Sequence, residues 1–120
     1  MFNKTLKDIQ RKTEGCLGAL IMGTDGIPVE EFWKSKGIEE NLDIAVTELS
    51  ALVRTAQRTG KDIDLGKMRE LVVLFDSASF VIRLINDEYF LVIVLNSNAN
   101  LGRGRFELRC AEAVLETEFA

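Results

Sequence analysis

The chain has 120 residues, a length that fits a single domain over residues 1–120. Its hydrophobic content of 47% is sufficient for a core, and 28% charged residues is ordinary for a soluble protein. The net charge of −4 argues against a general nucleic-acid binder, which needs a basic face. No apolar run reaches the roughly 20 residues of a membrane-spanning helix, so we expect no membrane insertion.

Histidine is absent, which removes the commonest general base and the commonest metal ligand. Neither a nucleophile–base pair nor a metal-binding cluster stands out, so we expect no enzymatic activity, no cofactor and no metal. Cys16 and Cys110 lie in apolar segments and are interpreted as buried thiols rather than a disulfide. Residues 1–12 lack the apolar core of a signal peptide, and we expect a cytoplasmic protein.

The first part of the chain predicts a helix followed by a hairpin. Apolar residues recur at helical spacing from the N-terminus, and this helix is predicted to end near Gly15. The continuous apolar run at residues 16–22 has the length of a buried strand, and the turn at residues 24–26 leads into a second strand at residues 27–33. Pro28 has no N–H for strand pairing, so the second strand is predicted to lie at a sheet edge.

The longest helical pattern covers residues 39–59, with Gly60 as its predicted C-terminal cap. Its apolar stripe consists of Leu42, Ala45, Val46, Leu49, Leu52, Val53 and Ala56. The other faces carry small residues where a solvated face would usually carry more lysine and glutamate. Part of the stripe must pack on the sheet, and we interpret the remaining surface as a contact with the same helix of a second copy.

The second part of the chain predicts three strands, at residues 69–75, 80–86 and 89–95, and a final helix from Leu101. The turns between these strands are very short, so neighbouring strands are antiparallel. The first and fifth strands are the most apolar and are placed in the centre of the sheet. The predicted fold is therefore α+β, with the order α-β-β-α-β-β-β-α, a five-stranded antiparallel sheet of order 2-1-5-4-3 and helices on both faces.

The third strand then forms the second edge of the sheet, and it is apolar and contains no proline. Such an edge is an aggregation hazard unless it pairs with another strand. We therefore predict a homodimer in which the third strand pairs with its own copy by two-fold symmetry. The predicted interface residues are Leu49, Val53, Ala56, Leu71, Val73 and Phe75.

Two motifs have two interpretations each. The glycine-rich segment at residues 102–105 could cradle a phosphate, but it matches neither the P-loop nor the dinucleotide pattern. Close packing of Gly104 is therefore favoured, with Arg103 and Arg105 on the surface or in contact with a partner.

Trp33 either covers the sheet edge or anchors a partner, and covering is favoured.

The set of motifs, in this order, resembles the roadblock/dynein light chain family, and within it the bacterial MglB-type proteins. The motifs are the glycine-rich hairpin at residues 15–29, the sequence EYFL at residues 88–91 and the run ANLGRGRFELR at residues 99–109. The resemblance covers about residues 6–115. It implies a roadblock-like (profilin-like) domain and a homodimer with a continuous sheet and antiparallel middle helices.

The resemblance also implies a function. Such proteins bind Ras-like small GTPases, and MglB-type members raise GTP hydrolysis by their partner and help to set cell polarity or motility. Phosphoryl transfer is catalysed mainly by positioning and charge stabilisation, so a partner that orders the GTPase's own groups accelerates it without a catalytic residue. The GTPase-contact candidates are the positions of the long helix expected to be exposed, namely Asp43, Thr47, Ser50, Arg54 and Arg58.

The alternative function is a small-molecule sensor of profilin-like architecture. A sensor needs an internal pocket with a few polar groups. Outside the predicted edge strand at residues 27–33, only Arg83 is polar away from the strand ends, which argues against such a pocket.

Overall fold

A computed structural model describes residues 2–35, 37 and 39–119, with the side chains of Glu39, Glu40 and Asp43 left out of the description. Its helices and strands follow the predicted order. They are α1 (Asn3–Lys12), β1 (Cys16–Gly23), β2 (Pro28–Trp33), α2 (Glu39–Asp62), β3 (Glu70–Leu74), β4 (Ala78–Leu84), β5 (Tyr89–Asn96) and α3 (Leu101–Glu118).

The five strands form one antiparallel sheet in the order β2-β1-β5-β4-β3, so the predicted fold class and strand order are confirmed. The two most apolar strands, β1 and β5, lie side by side in the middle, because strands covered on both faces need apolar residues at every position. The proline-containing strand β2 forms one edge, and its pairing with β1 is irregular between Ile21 and Met22.

The sheet separates two hydrophobic layers. On one face, α1 and α3 cover a core that includes Leu6, Ile9, Ile21, Leu91, Ile93, Leu108 and Leu115. On the other face, α2 covers a second core, here called the α2-side core, that includes Leu20, Val46, Leu49, Val53, Phe80, Ile82, Phe90 and Val92. Alternate residues of the central strands enter opposite layers, as the two-residue period of a strand requires.

The C-terminal end of α2 differs from the prediction. The helix continues to Asp62, and Gly60 lies inside it rather than capping it. A Cβ atom on Gly60 would lie 2.5 Å from the carbonyl oxygen of Gly66, so this position is glycine because the chain folds back against the helix. The left-handed residues of the reversal are Asp64, at φ 61°, and Gly66, at φ 91°.

The start of α3 confirms the packing interpretation of the glycine-rich segment. The side chain of Asn100 accepts a hydrogen bond from the backbone N–H of Arg103 at 2.9 Å and so caps the helix. Gly104 is buried, and a Cβ atom there would lie 3.0 Å from the side chains of Ile93 and Leu95. The glycine therefore lets α3 approach β5 closely.

Candidate partner-binding surface

The edge strand β3 pairs with β4 alone within the described residues, so its other side has no strand neighbour there. Leu71 and Val73 are half-buried and pack against the α2-side core. Leu74 is 64% exposed, and Phe75, which follows the strand, is 59% exposed. Phe75 also contacts Phe80 edge-on, with ring centroids 6.0 Å apart, which places it on the α2 side of the sheet. That β3 contacts a second copy stays a prediction.

The outer face of α2 is apolar at positions other than those predicted. Leu49 and Val53 are buried in the α2-side core, so their side chains are already covered within one chain, while Ala56 is half-buried. Leu52, assigned from the sequence to the core stripe, is 49% exposed, and Ile44, which the stripe omitted, is 59% exposed. A stripe counted only at helical spacing could not show which of its edges the sheet covers.

Three of the GTPase-contact candidates, Thr47, Arg54 and Arg58, are exposed on α2. The side chain of Asp43 lies outside the described residues. The expected exposure of Ser50 is wrong, because this residue is only 2% exposed.

Ser50 is buried because the β1–β2 turn closes over this part of α2. A Cβ atom on Gly26 of that turn would lie 3.2 Å from the Ser50 hydroxyl oxygen. The turn therefore contacts α2 through a residue that has no side chain. Arg54 also stabilises the contact between the β1–β2 turn and α2, since its Nη1 donates a hydrogen bond of 2.6 Å to the carbonyl oxygen of Thr24. The turn therefore fixes Arg54 while leaving Arg58 without such an attachment among the described residues.

Arg83 lies in an ion-pair network rather than in a pocket. Its guanidinium donates to Glu70 of β3 at 3.2 Å and also to Glu112 of α3. Burial raises the pKa of the Glu112 carboxyl, and the hydrogen bond from Arg83 only partly offsets this effect. The network joins the edge strand, β4 and α3.

The two glycine-flanking arginines of α3 are also paired within the chain. Arg103 forms an ion pair with Glu107 at 2.5 Å, one turn further along the helix. Arg105 pairs with Glu70. Both arginine side chains remain about half exposed. Each nevertheless has an ion-pair partner within the chain that could not be identified from the sequence.

The cysteines differ in their surroundings. Cys16 is buried as expected, and burial raises the pKa of its thiol to about 11. Cys110 is exposed, so the prediction that both thiols are buried is wrong for it. Cys110 lies on the outward side of α3, where an apolar sequence neighbourhood does not guarantee burial.

Trp33, at the end of the edge strand β2, covers its neighbour β1. A Cβ atom on Gly18 would lie 2.3 Å from the Trp33 ring, so the indole occupies the space that the glycine leaves. Its Nε1 donates a hydrogen bond of 3.1 Å to Glu31. This placement agrees with the covering interpretation of Trp33.

Within the described part of the chain, no group of three or more His, Cys, Asp or Glu side chains is arranged to hold a metal ion. Among the described helices, none has the length and hydrophobicity needed to cross a bilayer. The β3 edge and the exposed side of α2 each carry large apolar side chains that are about half exposed or more.

The chain belongs to the Roadblock/LC7 domain family, whose model matches residues 1–95. No curated protein matches the chain significantly. Among solved structures, MglC from Myxococcus xanthus is 29% identical, with a TM-score of 0.75 and coverage of 98% of each chain.

Two further structures share the fold at lower identity. The gliding protein MglB from Thermus thermophilus is 20% identical, with a TM-score of 0.84 and coverage of 98% of this chain and 89% of MglB. Profilin IA from Acanthamoeba castellanii is 15% identical, with a TM-score of 0.67 and coverage of 100% of both chains. The roadblock resemblance and the profilin-like architecture inferred from the sequence are thus confirmed.

Proposed function

We propose that this protein is a homodimeric regulator or scaffold of a Ras-like small GTPase and is not itself an enzyme. The observation that carries the proposal is the apolar surface left exposed by β3 and α2 in a chain of the Roadblock/LC7 family. The exposed apolar side chains are Ile44 and Leu52 on α2, Phe75 on the α2 side of the β3 edge, and Leu74 on the opposite side of that edge. The structural likeness of the chain to MglB and MglC supports the same proposal.

In the proposed dimer, β3 pairs with β3 of a second copy. The backbone N–H and C=O groups on the free side of an edge strand provide the hydrogen bonds for such pairing. Two-fold symmetry makes the contact self-complementary, so Leu74 and Phe75 each meet the equivalent region of the partner. The pairing continues the sheet across both subunits and brings the two α2 helices together on one face.

The dimer would place its GTPase site on the paired α2 helices. Small exposed residues, Ala51 and Thr55, allow close approach of another helix, while Ile44 and Leu52 supply apolar contact area. Thr47, Arg54 and Arg58 add polar and cationic groups along the neighbouring stripe. These residues would hold the GTPase's switch loops in one arrangement, and the GTPase would supply the groups that act on GTP.

A single-turnover GTP hydrolysis assay with a Ras-like GTPase from the same genome tests the regulatory part of this proposal. A regulator accelerates hydrolysis by the loaded GTPase in proportion to complex formation. A scaffold binds the GTPase and leaves the rate unchanged. If the protein neither binds any co-encoded Ras-like GTPase nor alters its hydrolysis rate, the proposed function is wrong.

A further inference from the structure

A concave surface lies beside the C-terminal turns of α2. This basic cleft has a volume of about 690 Å³ and lies between α2, the chain reversal at residues 63–68 and the turns that contain Thr24 and Asp87. Its size falls within the range of about 300–1,000 Å³ that is usual for small-ligand sites. The cleft lies beside α2 and is thus distinct from the interior pocket between strands that a profilin-like sensor needs.

Cationic side chains from two segments converge on the cleft. Arg54, Arg58 and Lys61 follow one another at intervals of four and three residues, which places them on one stripe of α2. Lys67 comes from the segment after the helix and lines the same space. The cleft therefore has four cations against two carboxylates, although the whole chain has a net charge of −4.

The two carboxylates belong to Asp64 and Asp87. Neither forms an ion pair with the cleft cations among the described residues. Arg58, Lys61 and Lys67 are exposed and make no side-chain hydrogen bond or ion pair with other described residues. The positive charges of these three side chains are therefore not paired with other described residues.

The dipole of α2 explains only part of this charge. Cations near a helix C-terminus are favourable without any ligand, which accounts for Arg58 and Lys61. It does not account for Lys67, which lies outside the helix. Two carbonyl groups at the C-terminal end of α2 also have hydrogen-bond partners within the chain. The carbonyl oxygens of Thr59 and Gly60 accept hydrogen bonds from the chain reversal at 3.2 and 2.8 Å.

The cleft also has an apolar part. Met68 and Leu84 line it and are half-buried, and Gly60 and Gly66, which contribute no side chains, line it as well. Arginine and lysine are the usual protein donors to phosphate oxygens, and arginine does so through two parallel N–H groups. An apolar wall beside such donors suits a ligand that joins a phosphate to a planar or apolar group.

We propose that the basic cleft binds a phosphorylated ligand, with its phosphate on Arg58, Lys61 and Lys67 and its planar or apolar group against Met68 and Leu84. The same chemistry is offered by a free phosphate ester such as a nucleotide and by a phosphorylated lipid headgroup. The cleft shares Arg58 with the GTPase-contact candidates, whereas Lys61 and Lys67, the two residues that the test changes, are not among those candidates.

The test is a nuclear magnetic resonance titration of the full chain at constant ionic strength. The probes are sodium pyrophosphate, ADP, and phosphatidylcholine vesicles with and without phosphatidylinositol 4-phosphate. The reporters are the backbone amides of Gly60, Gly66 and Lys67. The double variant Lys61→Glu/Lys67→Glu removes the cleft charge, and Lys4→Glu/Lys12→Glu makes the same charge change on exposed positions of α1.

Saturable shifts of the reporter amides with ADP or pyrophosphate support the proposal if the cleft variant weakens binding by about tenfold or more and the α1 variant does not. The proposal is also supported if the phosphoinositide vesicles are the only probe that binds and the cleft variant does not bind them. That result assigns the phosphate to a lipid. The proposal is overturned if no reporter amide shifts saturably with ADP or pyrophosphate and none loses intensity with the phosphoinositide vesicles. Equal weakening in both variants overturns it too, because that result indicates attraction by overall charge. Circular dichroism of both variants confirms that they are folded.

Discussion

Arg105 of α3 donates a hydrogen bond to one carboxylate oxygen of Glu70, at the start of the edge strand β3, and forms an ion pair with the same oxygen. The Nε donates at 2.8 Å, and the Nη2 lies 2.7 Å from the same oxygen. Glu70 also accepts from Arg83 of the neighbouring strand. The predicted dimer edge is therefore held in place by a helix on the face of the sheet opposite α2.

We expect Arg105→Ala to loosen β3. Arg105 is about half exposed, so the loss in the free energy of unfolding should be below about 1 kcal/mol. Amide hydrogen exchange in β3 should accelerate more than exchange in β1 and β5. Arg109→Ala is the matched control, since Arg109 is exposed on the same helix and has no ion pair among the described residues. Equal exchange in the two variants would show that the pair does not order the edge.

We expect Leu74→Lys to convert the dimer into monomers. Leu74 is exposed, so the substitution places a charge on the pairing edge with little cost to the core of one chain. Light scattering should give the mass of one chain, 13.4 kDa. Val114→Lys makes the same change at an exposed valine of α3 and should remain dimeric. A dimeric Leu74→Lys variant would contradict pairing through β3.

We expect Arg58→Glu to weaken GTPase binding by about tenfold, mainly through slower association, because an exposed charge near an interface acts on the encounter of the partners. The dimer should persist, since Arg58 is exposed on α2 and is not among the predicted dimer-interface residues. Arg109→Glu, on α3, provides the same charge reversal on the other face of the sheet. Surface plasmon resonance with immobilised GTPase measures both rates. The paired-helix site is wrong if the two variants bind equally.

The thiols should differ in their reactivity toward the disulfide reagent DTNB. Cys110 is exposed and should react quickly in the folded protein, whereas Cys16 is buried with a pKa of about 11 and should react only after unfolding. The Cys110→Ser variant isolates Cys16, and rapid labelling of this folded variant would refute its burial.

Because the Cys16 pKa is raised from 9.0 in the folded chain, the unfolded chain loses this proton first. The contribution of Cys16 to stability should therefore fall between pH 9 and about 11. Urea unfolding of Cys16→Ala should show a smaller loss of stability over this interval than the unaltered chain.

The fold was predictable because its local signals agree with one another. The unbroken apolar runs of β1 and β5 require burial on both faces, and Pro28 excludes β2 from the interior of the sheet. The sequence predicts a cap at Gly60 because a C-terminal cap and a close backbone approach both favour glycine. Only the chain reversal, with Gly66 folded against the helix, distinguishes the two explanations.

The candidate site was less predictable because it depends on tertiary contacts. Ser50 has the polarity of a surface residue but is buried where the β1–β2 turn closes on α2. Leu52 fits the core spacing but is 49% exposed, because the spacing alone does not show where the sheet stops covering α2. The basic cleft brings Lys67 near Arg54 only after the chain reverses, so no sequence motif marks it.

The most direct test of the proposed function is light scattering behind size exclusion. It is applied to the protein alone and mixed with a co-encoded Ras-like GTPase loaded with either a GTP analogue or GDP. We expect twice the 13.4 kDa chain mass for the protein alone, and added mass of one GTPase per dimer with the GTP analogue but not with GDP. A monomer of 13.4 kDa that forms no complex in either nucleotide state would contradict both the dimer and its proposed role.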